Sequence, residues 1–276
     1  MIECAGGVWV HWALDCLISE IRGLAMMFLG TIKMFRAFLR EQRLADVPAW
    51  QKDILYRVRP FTMAGVARTL ATISTVEYLE KNKITGCIVE CGVWRGGQMM
   101  AAALALQHMG AKRELYLFDT FSGMTPPEAR DVDHEKISAK GTYQSSLARP
   151  EGQRWCEAGI EEVRKNLRTT GYPESCMHLI PGDVEKSIPA QAPEQIAYLR
   201  LDTDWYASTK HELDHLFPRV VSRGVVAVDD YGHWQGAREA TCRIPDDCID
   251  PKRYPLFIAR AALRELVQSM QTTGRL

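Results

Sequence analysis

The stretch Tyr198-Leu-Arg-Leu-Asp-Thr-Asp-Trp-Tyr206 decides how the chain folds. It opens as an apolar run of strand length and ends in two carboxylates, Asp202 and Asp204, where an aromatic pair begins. Such a run reads as a buried strand entering a loop. Ligands of open α/β sheets bind outside the carboxyl ends of the strands, so acids placed there are poised to meet a ligand or a cation. A second run, Gly224-Val-Val-Ala-Val-Asp-Asp230, closes on Asp229 and Asp230 in the same way. If the two strands are neighbours, their carboxylates share one small volume, where like charges repel unless a cation or shared protons compensate. A hard divalent cation such as Mg²⁺ suits that cluster. A single acid at a strand end is often only a helix cap or turn residue. Two strands that both end in paired acids carry the functional reading.

Working outward, Cys87-Ile-Val-Glu-Cys-Gly-Val reads as the first strand and runs into Trp94-Arg-Gly-Gly-Gln, followed by a helix rich in Ala, Met and Leu. Glycines in such a turn let the backbone approach a ligand closely, and the helix start offers free N–H groups. The next strand, Glu114-Leu-Tyr-Leu-Phe-Asp119, ends in an acid at about the 20-residue offset used to meet a ribose in nucleotide-binding βαβ units. Glu90-x-Gly92-x-x-x-Gly96 lacks the GxGxxG spacing of the dinucleotide fingerprint, which favours an adenosyl ligand without a pyrophosphate.

Apolar residues at helical spacing predict a helix over 62–82, and a further helix is expected over 157–170 before Gly171 and Pro173. Between Asp119 and Trp155 lies a polar segment of little periodicity, expected to form a lid over cofactor and acceptor. Met177 to Val184 reads as the third strand and its exit loop, with Asp183 at the carboxyl end. The strands carrying Asp202 and Asp229 follow, separated by a helix over 208–217. Five strands alternating with helices predict a doubly wound, mostly parallel α/β sheet with helices on both faces. His211 and His215 are helix-face residues without a third metal ligand nearby, and His233 reads as a loop histidine beside the acids.

A chain of 276 residues is long enough for one large α/β domain. Acids and bases balance at 34 each, which gives no field for nucleic acid and points to a small-molecule partner. Eight scattered cysteines without a CxxC pair read as reduced, cytoplasmic usage. The apolar region from Val8 to Leu39 is interrupted by Asp15, Glu20, Arg22 and Lys33, so membrane association is not expected there. Amphipathic helices that pack on the domain or on a second copy are expected, which makes a homo-oligomer the anticipated state. The chain is thus parsed into an N-terminal helical region (1–60), a core (61–240) and a divergent C-terminal segment (241–276).

The set Val89-Glu-Cys-Gly-Val-Trp-Arg-Gly-Gly97, Phe118-Asp-Thr-Phe-Ser-Gly-Met124, Gly182-Asp-Val184, Leu201-Asp-Thr-Asp-Trp-Tyr206 and Val228-Asp-Asp-Tyr-Gly232 resembles the macrocin O-methyltransferase (TylF) family over about Pro60 to Glu239. These are S-adenosylmethionine-dependent sugar O-methyltransferases with a Rossmann-like class I fold. The resemblance implies that Glu90, Gly92, Val93, Trp94, Arg95 and Gly96 hold the methionine and ribose portions of the cofactor, and that Asp119 takes the ribose hydroxyls. Thr120, Phe121 and Ser122, with Gly182, Asp183 and Val184, would flank the adenosine. Asp202, Asp229 and Asp230 would ligate Mg²⁺, and Asp204 would be the general base that deprotonates the acceptor hydroxyl. A turn is expected between Asp202 and Asp204, so that one can be a ligand and the other a base.

After Glu239 the chain departs from the family. Thr241 to Pro251 is polar and proline-broken, no strand pair is expected to close the sheet, and Ala259 to Gln271 reads as a helix. Two other readings stand beside the methyltransferase: a metal-dependent hydrolase using the Asp cluster, and a catalytically silent methyltransferase-fold binding subunit.

Overall fold

The computed structural model describes residues 44–243 and 256–259. The chain divides into two compact units, Met1–Lys52 and Asp53–Leu276. Of the first unit, residues 44–52 are described: a turn, then the opening of helix α1 (Ala49–Val58), which starts directly after Pro48. The apolar stretch from Val8 to Leu39 lies outside the described residues, as does the expected C-terminal helix beyond Ala259.

In the second unit α2 (Val66–Lys81) leads to strand β1 (Cys87–Cys91), and α3 (Gly97–His108) to β2 (Leu115–Asp119). Helices α4 (Ala139–Leu147) and α5 (Ile160–Arg168) precede β3 (Met177–Pro181). The one-turn helix α6 (Val184–Ser187), β4 (Ile196–Leu201), α7 (Tyr206–Leu216), β5 (Val220–Val228), α8 (Gln235–Thr241) and β6 (Leu256–Ala259) complete it. All strand pairings are parallel, in the order β3-β2-β1-β4-β5-β6. The chain starts at β1, winds outward to β3, then returns to β4 on the other side of β1. That reversal leaves a crevice above the carboxyl ends of β1 and β4, where open α/β sheets bind ligands.

The sixth strand corrects the expected five. Leu256-Phe-Ile-Ala pairs in parallel with Val225 to Val228, adding an edge in the segment that was expected to hold no strand. It is four residues long and follows a polar stretch containing Pro251 and Pro255, so periodicity gives it no signature. Its apolar character is nonetheless what a strand in a parallel sheet requires.

The register explains how one face of the sheet becomes polar. Glu90 lies directly opposite Arg200, and Arg200 opposite Ala227. Side chains two residues apart in a strand share a face, so Asp202 follows Arg200 and Asp229 follows Ala227 towards the same side. Helix α2 covers that side with Arg68 and Thr72, one helical turn apart. Thr72 donates to Gln98 Oε1 at 2.7 Å, and Gln98 Nε2 donates to Thr62 and Thr69 at 3.1 and 3.0 Å, which fastens the start of α3 to α2. The opposite side is an apolar cluster that includes Val89, Leu199, Leu201, Val226 and Val228.

The segment expected as a lid is pinned at its middle. Asp131 is fully buried and accepts from the N–H of Glu128 (2.7 Å) and from the N–H of Tyr206 (2.9 Å) at the start of α7. Gly236 of α8 comes so close that a Cβ there would lie 2.1 Å from Asp131 Oδ1, so only glycine fits. Single bridges, Val132 to Ser138 and Asp133 to Trp234, extend the attachment. The described cysteines are free, and among the described residues no helix is long and apolar enough to cross a membrane.

Because Asp131 satisfies two N–H groups that have no other partner, Asp131→Ala should cost about 2–4 kcal/mol. Urea unfolding monitored by circular dichroism checks this, and a loss under about 0.5 kcal/mol would show that the segment is held by other means.

Candidate functional site

The crevice is a cleft of about 280 Å³. Its floor is made by the exits of β1, β2, β4 and β5, which are laced together by backbone hydrogen bonds. Gly92 N–H donates to Phe118 O, Asp202 N–H to Cys91 O and Asp229 N–H to Leu201 O, at 2.8, 2.8 and 2.9 Å. Gly92 has φ +79°, and a Cβ on it would fall 2.1 Å from the Asp202 carbonyl oxygen. Glycine is therefore what lets the β1 exit close on the strand that delivers the acids.

Asp119 is almost wholly engaged by backbone. Its Oδ2 accepts from Val93 N–H (2.7 Å) and Trp94 N–H (3.1 Å), and its Oδ1 from Phe121 N–H (2.7 Å). The Thr120 hydroxyl lies 3.5 Å from Oδ1 but gives its one proton to Gly123 O at 2.6 Å, so of the about four acceptor positions of a carboxylate one on Oδ1 is left for a ligand hydroxyl. Gly182 N–H donates to the Asp119 carbonyl at 2.9 Å, and Asp183 caps α6 through Glu185 N–H at 3.1 Å. Of the residues expected around the cofactor, Glu90, Gly92, Val93, Trp94, Asp119, Thr120, Gly182, Asp183 and Val184 line the cleft. Arg95, Gly96, Phe121 and Ser122 do not. Arg95 pairs with Glu162 (2.9 Å), and a Cβ on Gly96 would come within 3.2 Å of Val163.

The acids form the deep end. The chain turns sharply after Asp202, with Trp205 N–H donating to Thr203 O at 2.8 Å and Asp204 held at φ +68°, a conformation uncommon for a residue with a side chain. The expected turn is therefore present. One carboxylate oxygen from each of Asp202, Asp204 and Asp230 lies within 4.8 Å of the others, close enough to share a cation. Asp229 is turned aside onto two arginines: Arg200 Nη2 donates to Oδ1 at 2.7 Å, and Arg68 contacts Oδ2. Arg200 Nη1 donates to Glu90 Oε1 and, at 2.7 Å, to Asp202 Oδ2.

Burial governs the protonation of these groups. Burial pushes Asp204 up to about 7, against a hydrogen bond with Asp230 that pulls it down. Asp230 is raised well above the carboxylate range by burial and then by the adjoining Asp204, as expected for two carboxyls that share a proton. Burial also lifts Glu90, to about 8, with Arg200 pulling back. Three buried carboxylate oxygens, Glu90 Oε2, Asp230 Oδ2 and Glu212 Oε1, have no hydrogen-bond partner among the described residues, and of these acids Glu90 and Asp230 line the cleft.

The sequence reading missed the arginines and the outer wall. Trp155, Trp205 and Trp234 form an aromatic cluster with ring centroids 5.1–6.0 Å apart, and Trp155, Trp234 and Met124 line the cleft beside the acids. Trp205 Nε1–H donates to Thr125 O at 2.9 Å, which ties this wall to the loop after β2. His233 lines the cleft against Trp234, whereas His211 lies away on α7 and contacts Ile188 O at 3.1 Å. The signal for Arg200 was in plain view: a charged residue inside an apolar strand, two positions before an acid of the cluster.

A parallel sheet reversing between β1 and β4, a glycine turn against the second strand's acid and an acid cluster above the fourth define a class I methyltransferase. The macrocin O-methyltransferase (TylF) family model matches residues 30–246, and the chain belongs to that family. Among named relatives, the demethyldecarbamoylnovobiocin O-methyltransferase of Streptomyces niveus is 31% identical over 199 residues, covering 72% of this chain and 70% of its own. The 8-demethyl-8-(2,3-dimethoxy-alpha-L-rhamnosyl)-tetracenomycin-C 4'-O-methyltransferase of Streptomyces olivaceus is 30% identical over 171 residues, and the match spans 62% of each chain. The solved structure of the O-methyltransferase NovP aligns with a TM-score of 0.55 at 31% identity, covering 66% of this chain and 72% of that one. The calicheamicin methyltransferase CalS11 shares the fold, with a TM-score of 0.52 at 19% identity over 77% of this chain and 84% of its own.

In the unfolded chain an aspartic acid loses its proton near pH 4, whereas folded Asp204 keeps it to about 7. The folded state binds more protons between those values, so the contribution is fully present below about pH 4 and is lost as pH rises through about 7. The melting temperature of the ligand-free protein should therefore fall between pH 5 and pH 8. Asp204→Asn, with no proton to lose, should make that fall shallower, with Glu90 and Asp229, raised to about 8 and about 6, supplying the remainder, and a parallel decline in wild type and variant would remove Asp204 as a source.

Proposed function

We propose that the chain is an S-adenosylmethionine-dependent, cation-assisted O-methyltransferase acting on a sugar hydroxyl of a natural product. The observation that carries this reading is that two acids lining the cleft each hold a buried, unpartnered carboxylate oxygen, Glu90 Oε2 beside the glycine turn and Asp230 Oδ2 in the acid cluster. Buried acceptors without a donor are rare, and each fits a missing cationic or N–H-bearing partner. The first suits the amino group of a bound cofactor, the second a divalent cation.

In this reading Glu90 and the backbone from Gly92 to Trp94 hold the amino-acid end of the cofactor, and Asp119 offers its last acceptor position to the ribose. Thr120, Gly182, Asp183 and Val184 border the adenosine. S-adenosylmethionine supplies an electrophilic methyl group on a sulfonium, and Mg²⁺ supplies Lewis-acid polarisation of the acceptor oxygen. Asp202 and Asp230 are the central ligands, with Asp229 beside them; each Asp229 oxygen keeps a second lone pair despite its arginine. Asp204 takes the acceptor proton. A base poised at about 7 combines a sufficient ionised fraction with real driving force at neutral pH.

The acceptor side is the tryptophan wall. An apolar aromatic surface beside carboxylates suits a ring that has one apolar face and a hydroxyl edge, which describes a deoxysugar. The name of the tetracenomycin relative specifies a rhamnosyl acceptor, in keeping with that chemistry.

Calorimetric titration with S-adenosylhomocysteine, with and without Mg²⁺, tests the reading. Binding is expected, and a folded sample that binds none would sink it. Asp204→Asn should keep cofactor and Mg²⁺ affinity while cutting methyl transfer to rhamnosyl-bearing acceptors by about 10²–10⁴-fold. Transfer that survives this substitution would relocate the base.

A further inference from the structure

We infer that Arg200 is a positioning residue that joins the cofactor side of the site to the cation side, an assignment that rests on the function proposed above. Its guanidinium touches three carboxylates. Nη1 donates both to Glu90, the acid beside the glycine turn, and to Asp202, the first acid of the cluster, and Nη2 donates to Asp229. Both hydrogens of Nη1 are thereby used, so a single nitrogen fixes the separation between an acid on the cofactor side and an acid on the cation side.

The contacts are selective by atom. Arg200 occupies Oε1 of Glu90, and Oε2 is the buried oxygen without a partner in the cleft. On Asp202 it occupies Oδ2, and on Asp229 it occupies Oδ1 and leaves Oδ2 to Arg68. Arg200 thus decides which oxygen of Glu90 is presented to a ligand, and it fixes the carboxylate planes of Asp202 and Asp229. The side chain cannot swing to another arrangement, because Arg200 is 2% exposed and Glu90 1%. The sheet register that places Glu90 opposite Arg200 fixes the pair from the backbone as well.

Fold stability does not account for this arrangement. Buried ion networks are commonly no more stabilising than apolar residues of the same volume, and a strand interior in a parallel sheet is where an apolar residue would serve. Lysine would keep the charge but not the planar fork that holds three acids at set angles.

Arg200→Lys tests the assignment, with S-adenosylhomocysteine and Mn²⁺ titrated separately by calorimetry and folding checked by circular dichroism. The expected result is that both affinities fall at least tenfold, whereas Asp230→Asn weakens Mn²⁺ alone. Arg200→Lys that binds both probes as wild type, or loses only one, overturns the assignment while leaving the functional reading intact. Wild-type protein that binds neither probe overturns both. If Arg200→Lys does not fold, Glu90→Asp replaces it: the charge is kept, but the carboxylate withdraws by one methylene from Nη1. Mn²⁺ affinity should then fall at least threefold although Glu90 is no ligand, and an unchanged value overturns the assignment.

Discussion

Glu90, Asp202, Asp204, Asp229 and Asp230 gather under the carboxyl ends of three adjacent strands, and most of their surface is hidden from water. Removing charges from water costs several kcal/mol per ion unless each is paired or keeps its proton. The protein uses both remedies. Arg200 and Arg68 hold Glu90, Asp202 and Asp229 as ion pairs, while Asp204 and Asp230 share protons. The site is thus divided into a half clamped by arginine and a half held by carboxyl–carboxyl contacts, and burial leaves a member of each, Glu90 at about 8 and Asp204 at about 7, able to hold a proton near neutrality.

Sheet topology makes that division geometric. Glu90 faces Arg200 by register, and Asp202 and Asp229 follow on the same side by the two-residue period. Asp204 and Asp230 escape the period because the strands have ended. Asp204 sits at φ +68°, which turns its carboxyl back toward Asp230. A strand can hold an acid rigidly but only on its own side, whereas a turn can aim one across the cleft.

Much of this was legible in the sequence because it depends on local pattern. The strand runs, the glycine turn and the acids at strand ends have periodicities and spacings that single stretches reveal, and the first five strands follow from them. What sequence pattern could not supply was pairing between distant stretches. Arg68 reaches Asp229 from 161 positions away, and Trp155 meets Trp234 only through the fold. Strand β6 escaped for another reason: four apolar residues after a proline-broken stretch are too few to show a period. Arg200 was different again, since its place inside an apolar strand was visible and its parity with Asp202 would have put both on one face.

The wall beside the acids is tied to them at several points, of which Asp131 is the most deeply buried. Asp131, in the long segment after β2, accepts from Tyr206 N–H, two residues beyond Asp204, and presses against Gly236 at the start of α8, close after Asp229 and Asp230. Trp205 lies between Asp204 and Tyr206 and donates to Thr125 of the same segment. The turn that aims Asp204 is therefore the anchor of the segment that brings Trp155 to the cleft. If Asp204 is the base and the wall holds the acceptor, as proposed above, this fastening keeps the two in register, which transfer governed by positioning requires. On the reading proposed above, variation in the exposed part of this segment, around α4, would reshape acceptor fit without moving Asp204, because Asp131 separates the two mechanically.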